Sequence, residues 1–302
     1  MRHFPIPLFS ALMLLPAFAT QAISFQPRLE QVQWSVEGDQ FECRLSQPIA
    51  NFGSGEFVRR AGEQVTFRVK ASERWFGQGS ATLYSAAAPW RPEIRDINLG
   101  RVQIASADIA FNSSQEQGVR LLNGVLEGRS PLVRHRTLYG GEALEVRLLP
   151  ARFDKAYDEY LACTAKLLPV NFEQIRQMQL SFTDGGIELD GRAKAKIEIV
   201  LDFMKADPSI NSFQIDGHSD NAGNRLANRD LSRRRALAVQ EYLKSRGIAP
   251  EQITMRFHGE SYPLVPNNSA ANRAQNRRAT LTLERLPVAE TAPVAAPAAA
   301  TN

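Results

Sequence analysis

An acidic loop followed by an arginine-rich helix is the part of the sequence best suited to binding chemistry. The loop is Gly217-His218-Ser219-Asp220, and Arg235 follows in the helix. A carboxylate accepts hydrogen bonds from an ammonium group, whereas a guanidinium can bond both oxygens of a carboxylate at once. Asp220 and Arg235 therefore suit a ligand that carries both charges. In a plainer alternative, Asp220 caps the helix or braces the loop, and Arg235 is an ordinary exposed helix residue.

Three consecutive arginines, Arg233, Arg234 and Arg235, stand about one turn into this predicted helix. Successive side chains on a helix point about 100° apart, so only one of the three can face the loop. We expect Arg235 to face it and the other two to be solvated.

Catalysis is the competing interpretation, because His218, Asp220 and His258 could be drawn as a zinc site. His218 and Asp220 are close neighbours within one loop, however, and the chain contains no HExxH sequence. It also contains no GxSxG nucleophile elbow. The sequence therefore predicts a binding protein with no catalytic residue, no metal and no cofactor.

Helix and strand patterns alternate after Pro169 and must position this loop. Apolar residues at helical spacing mark two helices, the first with Asp190 as N-cap and Pro208 just beyond its end, the second ending at Gly247. The predicted strands are 178–182, 212–216, 253–257 and 278–283, with a turn at 183–186. This order predicts an α+β domain of βαβαββ layout, with helices packed on one face of a mixed sheet.

The same stretch carries a series of ordered motifs. They are Gly217-His218-Ser219-Asp220 with Gly223, Asn228, Leu231-Ser232, Arg235-Ala236, Gly259-Glu260 with Pro263, and Asn276-Arg277-Arg278. In this order they resemble the OmpA-like peptidoglycan-binding domain over residues 169–286. The resemblance implies a site for the diaminopimelate of peptidoglycan stem peptides, whose far end carries an ammonium and a carboxylate. It places Asp220 and Arg235 where the family holds these two groups.

Four further residues support the site in this interpretation. Ser219 stands where the family has threonine and keeps the hydroxyl. Asn228 is of a residue type that favours a helix N-cap over ligand contact. Arg277 and Arg278 either line the cleft or flank the last strand. His258 replaces a family glycine, which leaves the geometry of the nearby turn open.

The first half of the chain consists of short alternating runs between turn residues. The runs are 40–45, 63–69, 79–84, 119–126 and 143–149, and the turn signals are Asn51-Phe52-Gly53-Ser54-Gly55, Pro89-Trp90-Arg91-Pro92, Asn123-Gly124 and Gly140-Gly141. Period-two runs at this spacing predict a mainly antiparallel β domain over residues 23–168. A helix over 153–168 closes this domain.

The chain begins with the pattern of a secretory signal peptide. Arg2 precedes an apolar run and then the small residues Ala19 and Ala22, so residues 1–22 are predicted to be removed by cleavage after one of these alanines. The run is too short to span a bilayer, and we expect no transmembrane segment in the mature chain. The Pro/Ala-rich residues 287–302 are predicted to be a disordered tail.

Export gives the two cysteines a structural meaning. Cys43 and Cys163 are the only cysteines, and an oxidising compartment favours joining them. The bridge would close a loop of 120 residues. Its contribution in the chain-entropy model is about 4 to 5 kcal/mol, which is an upper figure because engineered bridges commonly contribute less. It would tie the closing helix to the first strands. Two buried free thiols are the alternative.

The first half also carries motifs in a recognisable order. They are Trp34, the run from Phe41 to Ile49, Asn51-Phe52-Gly53, Glu56-Phe57, the run from Ala88 to Pro92, and the run from Asp158 to Cys163. The series resembles the N-terminal domain of the MotY family of flagellar motor proteins, which joins a disulfide-linked domain to an OmpA-like one. The resemblance implies a non-catalytic periplasmic protein of the flagellar T ring. Its implied partners are peptidoglycan, the basal body and a MotX-like protein, with stator units supported indirectly.

The charge balance excludes another class of partner. Lysine and arginine number 36 against 32 acidic residues, a net charge of +4, which is too weak and scattered for a nucleic-acid binder. A rival function remains, namely a general OmpA-like envelope scaffold that is anchored to peptidoglycan and unconnected with motility.

Overall fold

The computed structural model describes residues 23–71, 75–105, 108–136, 143–183 and 186–285. The predicted signal peptide, the predicted tail, the Gly140-Gly141 turn and part of the 183–186 turn lie outside the described residues. The chain divides into two compact units, one of residues 23–60 and 64–166 and the other of residues 61–63 and 167–285.

The first unit is built on two five-stranded sheets. Its strands are β1 (Ile23–Phe25), β2 (Ser35–Gly38), β3 (Glu42–Ile49), β4 (Gly53–Arg60), β5 (Thr66–Ala71), β6 (Ser80–Ala86), β7 (Ile97–Gln103), β8 (Ile109–Asn112), β9 (Ser130–Arg136) and β10 (Ala143–Arg147). One sheet has the order β1-β10-β9-β6-β7 and the other β2-β3-β4-β5-β8. Only the short β1 pairs in parallel, with β10, among the described strands of this unit. The predicted mainly antiparallel β domain is confirmed.

Alternation along the strands explains how these residues form a core. In β3, Cys43 and Leu45 point inward and are buried, whereas Glu42 and Arg44, which alternate with them, are partly exposed. The inward positions of β4 and β5 bring Phe57 and Phe67 together, with ring centroids 5.1 Å apart. Each inward aromatic side chain of this kind removes a large apolar surface from water.

A helix replaces one predicted strand. The run 119–126 was expected to be extended, but it belongs to α1 (Gln115–Leu126), which starts with a capping box between Ser114 and Gln117. The Asn123-Gly124 turn signal is also wrong, because both residues lie inside this helix. Gly118 has a packing role: a Cβ there would collide with the Val65 carbonyl.

Two predicted turns have different outcomes. Of the five residues predicted as a turn from Asn51 to Gly55, only Asn51 and Phe52 form one, because β4 starts at Gly53. The Pro89-Trp90-Arg91-Pro92 segment is a turn, in which the Arg91 amide bonds the Ala88 carbonyl at 2.8 Å, and Trp90 is half exposed.

The closing helix and the disulfide are both present. The helix is α2 (Phe153–Thr164), which ends four residues before the predicted boundary and packs on β2 and β3. Cys163 near its end is bonded to Cys43 in β3, with the two Cα atoms 6.1 Å apart. The predicted bridge is confirmed, and it ties α2 to the early strands.

The second unit has the predicted βαβαββ layout with two additional short helices. Its elements are α3 (Phe172–Ile175), β11 (Gln177–Ser181), α4 (Gly191–Ala206), β12 (Ile210–Gly217), α5 (Arg225–Ser245), β13 (Ile253–Phe257), α6 (Ala270–Asn276) and β14 (Arg278–Arg285). The sheet order is β11-β14-β12-β13, and only β12 and β13 run parallel among these strands. The α+β class with a mixed sheet is therefore confirmed.

Local signals set the ends of both long helices. Asp190 caps α4 by accepting a hydrogen bond from the Ala193 amide at 2.7 Å. Gly247 follows α5 with a φ of +93°, in the left-handed region that favours glycine. Among the described residues, no helix combines the length and the apolar character needed to cross a bilayer.

Candidate functional site

Asp220 lies in the loop that joins β12 to α5. Gly217, the last residue of β12, allows α5 to approach closely, because a Cβ there would collide with the Ser232 carbonyl oxygen. The loop turns at Gly223, whose φ is +91°. Asn224 then caps α5 by accepting a hydrogen bond from the Ala227 amide at 2.8 Å. Glycine and cap residues thus fix the loop at the carboxyl end of β12.

The Asp220 carboxylate is buried, with 7% of the residue exposed, and both of its oxygens are hydrogen-bonded. Oδ1 accepts from the Ala222 amide at 3.1 Å, and Oδ2 accepts from Arg277 Nη1 at 2.9 Å. The alternative in which Asp220 caps α5 is wrong, because Asn224 has that role. Asp220 therefore presents a carboxylate that the loop and one cation hold in place.

Arg235 is fully buried, and it lies nearly three turns into α5 instead of one, because the helix begins at Arg225. Its Nε donates to the Gly186 carbonyl and its Nη1 to the His218 carbonyl, each at 2.9 Å. Burial lowers the pKa of the guanidinium to about 10, although the negative charge of Asp220 acts in the opposite direction. Arg235 thus joins the two loops that surround it.

The other two arginines of the triplet point to solvent. Arg233 and Arg234 are exposed, and Arg234 pairs with Asp230 one turn earlier at 2.9 Å. Of the three, only Arg235 turns inward, as the helical spacing predicts.

Ser219 and Asn228 hold the surrounding loops. The Ser219 hydroxyl donates to the Asp220 carbonyl at 3.0 Å, and its amide donates to the Gly259 carbonyl at 2.7 Å. Asn228 is buried inside α5 and donates to Glu260 Oε2 at 2.7 Å. Its interpretation as a helix N-cap is wrong, since α5 starts earlier.

Arg277 and Arg278 both reach the site, although they differ in surroundings. The Arg277 side chain is 30% exposed and pairs with Asp220. Arg278, the first residue of β14, is buried and donates from Nη2 to the Tyr262 carbonyl at 3.2 Å. The two residues therefore do more than flank the last strand.

Asp216 and Arg256, which no sequence motif marked, form a cluster with His218 and His258 beside the loop. Asp216 accepts from Arg256 Nε at 2.8 Å, and its Oδ1 also lies 2.8 Å from His258 Nε2. The His258 ring stacks on His218 with centroids 4.9 Å apart. Burial, followed by the positive charge of Arg278, lowers the pKa of His218 to about 4. His218 is therefore neutral near neutral pH.

This cluster bears on the zinc interpretation. The zinc interpretation uses His218, Asp220 and His258 as ligands. In the structure, the His258 ring contacts Asp216 instead, and Asp220 forms an ion pair with Arg277. Over the part of the chain that the structure describes, no three histidine, cysteine, aspartate or glutamate side chains are grouped for a metal ion.

Asn276 fixes the second loop of the site, residues 258–269. It is fully buried, and its Oδ1 accepts from the Leu264 amide at 2.8 Å and from the Val265 amide at 3.2 Å. Its Nδ2 donates to the Val265 carbonyl at 2.8 Å. The sequence placed Asn276 in a motif without assigning this role.

Comparisons with known proteins cover both halves of the chain. Residues 25–169 match the family model of the MotY N-terminal domain, and residues 181–277 match that of the OmpA family. The sodium-type flagellar protein MotY of Vibrio parahaemolyticus is 24% identical over 263 residues, which cover 86% of this chain and 89% of that protein.

Other similar proteins match the second half. The peptidoglycan-associated lipoprotein of Pseudomonas putida is 39% identical over 94 residues, which cover 31% of this chain and 55% of that protein. Among solved structures, the C-terminal domain of Helicobacter pylori MotB is 21% identical with a TM-score of 0.33, over 36% of this chain and 86% of that one. By its two family matches, the chain joins a MotY N-terminal domain to an OmpA-family domain.

Proposed function

We propose that this protein is a non-catalytic periplasmic component of the flagellar motor that anchors the T ring of the basal body to peptidoglycan. The second unit binds the cell wall, and the first unit docks on the basal body and on a MotX-like partner. Stator units then assemble around a ring that is attached at both ends. The order of a MotY N-terminal domain and an OmpA-family domain in one chain supports this division.

The main support for wall binding is the set of charged side chains around the loop after β12. Asp220 offers a carboxylate for the ammonium of diaminopimelate, and Arg277 offers donors for its carboxylate. Arg277 is partly exposed, so the ligand meets it first. Arg235 acts from beneath, through its charge and by holding the loops of Gly186 and His218.

Several weak sites in a ring would give strong attachment. The wall presents diaminopimelate at high local density, so each additional copy in a ring binds at a raised effective concentration. A modest affinity per domain is therefore sufficient for anchoring.

Co-sedimentation with purified sacculi tests wall binding. We expect Asp220→Ala and Arg235→Ala to reduce the pelleted fraction at least about tenfold, because each removes a charged hydrogen-bonding group. Arg234→Ala is the matched control, since it removes an exposed neighbouring arginine of the same helix. Circular dichroism checks that the variants are folded. Undiminished pelleting of both folded variants would overturn the site.

A clean deletion separates the motor role from a general envelope scaffold. The scaffold alternative has support in the likeness of the second unit to the peptidoglycan-associated lipoprotein of Pseudomonas putida. Loss of swimming with flagella still present supports the motor role. Full motility with a leaky or misshapen envelope supports the scaffold instead.

A further inference from the structure

Arg278 has an unusual environment for a buried charge. Only 8% of the residue is exposed, and its Nη2 donates to the Tyr262 carbonyl. Its Nε and Nη1 are also buried, and neither has a hydrogen-bond partner among the described residues. Buried polar groups in folded proteins are nearly always bonded, and an unpaired buried N–H on a charged group is strongly unfavourable. The fold therefore leaves two donors of this guanidinium unused.

Three other arginines of the second unit have the carboxylate partner that Arg278 lacks among the described residues. Arg256 pairs with Asp216, Arg277 with Asp220, and Arg285 with Asp207. Within the described ranges, no carboxylate forms such a pair with Arg278. Burial lowers the pKa of Arg278.

The backbone of His218 connects Arg278 to the candidate site. The His218 amide donates to the Arg278 carbonyl at 2.9 Å, and the His218 carbonyl accepts from Arg235 Nη1 at 2.9 Å. Arg277, directly before Arg278, pairs with Asp220. Arg278 therefore adjoins the charges that hold the diaminopimelate end in the proposed function.

The residue that contacts Arg278 is itself strained. Tyr262 has a φ of +57°, which is unfavourable for a residue with a Cβ, and 74% of it is exposed. Strained backbone of this kind concentrates at ligand sites. A carbonyl in a strained exposed turn is a contact that a ligand oxygen can replace.

We propose that Arg278 binds a second carboxylate of the peptidoglycan stem peptide, which takes the place of the Tyr262 carbonyl when the turn opens. This inference rests on the proposed function, in which the diaminopimelate end lies at Asp220. A guanidinium with two unused N–H groups is matched to a carboxylate, which accepts two parallel hydrogen bonds.

Calorimetric titration with three soluble peptides tests this subsite in the full mature chain. The first is L-Ala-γ-D-Glu-meso-diaminopimelate, which has two carboxylates outside its far-end zwitterion. The other two are the same peptide amidated at either of these carboxylates. We expect the wild-type protein to bind one amide about tenfold more weakly than the parent peptide, and the other amide as well as the parent.

Two variants assign that difference to Arg278. We expect Arg278→Met to bind the parent peptide about tenfold more weakly and to lose the discrimination against the sensitive amide. Arg285→Met removes an exposed arginine at the other end of β14. This variant should keep both the wild-type affinity for the parent peptide and the discrimination against the sensitive amide. Arg278→Met should also be no less stable to urea than the wild type, because it removes an unpaired buried charge.

The outcomes distinguish this inference from the proposed function. If the wild-type protein binds the parent peptide but does not discriminate between the amides, the Arg278 subsite is overturned while wall binding stands. This comparison needs no variant, so misfolding of Arg278→Met does not weaken it. Discrimination that persists in folded Arg278→Met would also overturn the subsite. Failure to bind any of the peptides would overturn both proposals.

Discussion

Arg68 in the first unit and Arg278 in the second are buried to nearly the same degree, but they differ in their partners. Arg68 donates from Nε to Glu56 at 2.6 Å, and its Nη2 lies 3.6 Å from Glu42. Arg278 donates to one backbone carbonyl, and two of its nitrogens remain unbonded among the described residues. The first arginine is neutralised within the fold, and the second is not.

The acidic partner in the first unit confirms this contrast. Burial alone would raise the pKa of Glu56, but hydrogen bonds from Arg68 and Lys70 outweigh it and lower the pKa overall. A buried charge with a carboxylate partner belongs to the structure of the unit. A buried charge that lacks such a partner is available to a ligand, and in this chain it lies beside the loop of Asp220.

The largest effect should follow from breaking the buried pair of the first unit. Arg68→Met leaves Lys70 as the one ion-pair partner of the Glu56 carboxylate among the described residues, and we expect a loss of about 3 to 5 kcal/mol in the free energy of unfolding. Tryptophan fluorescence in urea reports this unit specifically, because Trp34, Trp75 and Trp90 all lie in it.

Arg44→Met is the matched control for this prediction. Arg44 lies on β3 of the same sheet and forms partly exposed ion pairs, so its loss should change the stability by less than about 1 kcal/mol. Equal stability of the Arg68 and Arg44 variants would contradict the structural role of the buried pair.

The disulfide should have the next largest effect, again on the first unit alone. Replacing Cys43 and Cys163 together by serine removes the constraint on the unfolded chain and should lower the free energy of unfolding by about 2 to 4 kcal/mol. Tryptophan fluorescence in urea measures this loss, while peptide binding by the second unit should be unchanged. A double variant as stable as the wild type would refute the prediction.

Asn276→Ala should loosen the second loop of the site. It removes the acceptor of the Leu264 and Val265 amides, with an expected loss of about 1 to 3 kcal/mol in local stability. Hydrogen exchange should become faster at these two amides. Asn272→Ala, which removes a partly exposed asparagine of the same helix, should leave their exchange unchanged. Equal exchange rates at these two amides in the two variants would argue against the role of Asn276 in holding the loop.

The smallest expected effect is the loss of stability at acidic pH that comes from His218. Its pKa is about 4 in the folded chain against an ordinary value of 6.5, so unfolding takes up a proton between these pH values. Stability should therefore fall as the pH is lowered from 6.5 to 5, by about 1 to 2 kcal/mol from this group. Urea unfolding followed by circular dichroism should reveal a smaller acid-induced loss in His218→Gln. An identical loss would exclude His218 as its source.

The sequence predicted the second unit better than the first because its signals are local. Asp190 and Gly247 mark helix ends through their own residue types, and apolar spacing marks the buried helix faces. In the first unit, the run 119–126 is part of α1, which Gly118 and Gly124 allow to lie close to the strands of the sheets. That contact is tertiary, and alternation of residue types cannot reveal it.

The sequence predicted which residues form the site, but it did not predict which of them form ion pairs with one another. Family motifs placed Asp220 and Arg235 near one loop, and the fold brings them there. The direct partner of Asp220 is Arg277, which is distant in sequence, and no local pattern indicates that pair. The unbonded nitrogens of Arg278 also depend on which groups the fold fails to bring near it.

The central claim is that the loop of Asp220 binds an ammonium and a carboxylate together. Calorimetric titration with L-Ala-γ-D-Glu-meso-diaminopimelate, and with the same peptide ending in L-lysine, tests it most directly. The two peptides differ only in the far-end carboxylate, so we expect the diaminopimelate peptide to bind at least about tenfold more tightly. Equal affinity for both peptides, or no binding of either, would contradict the claim.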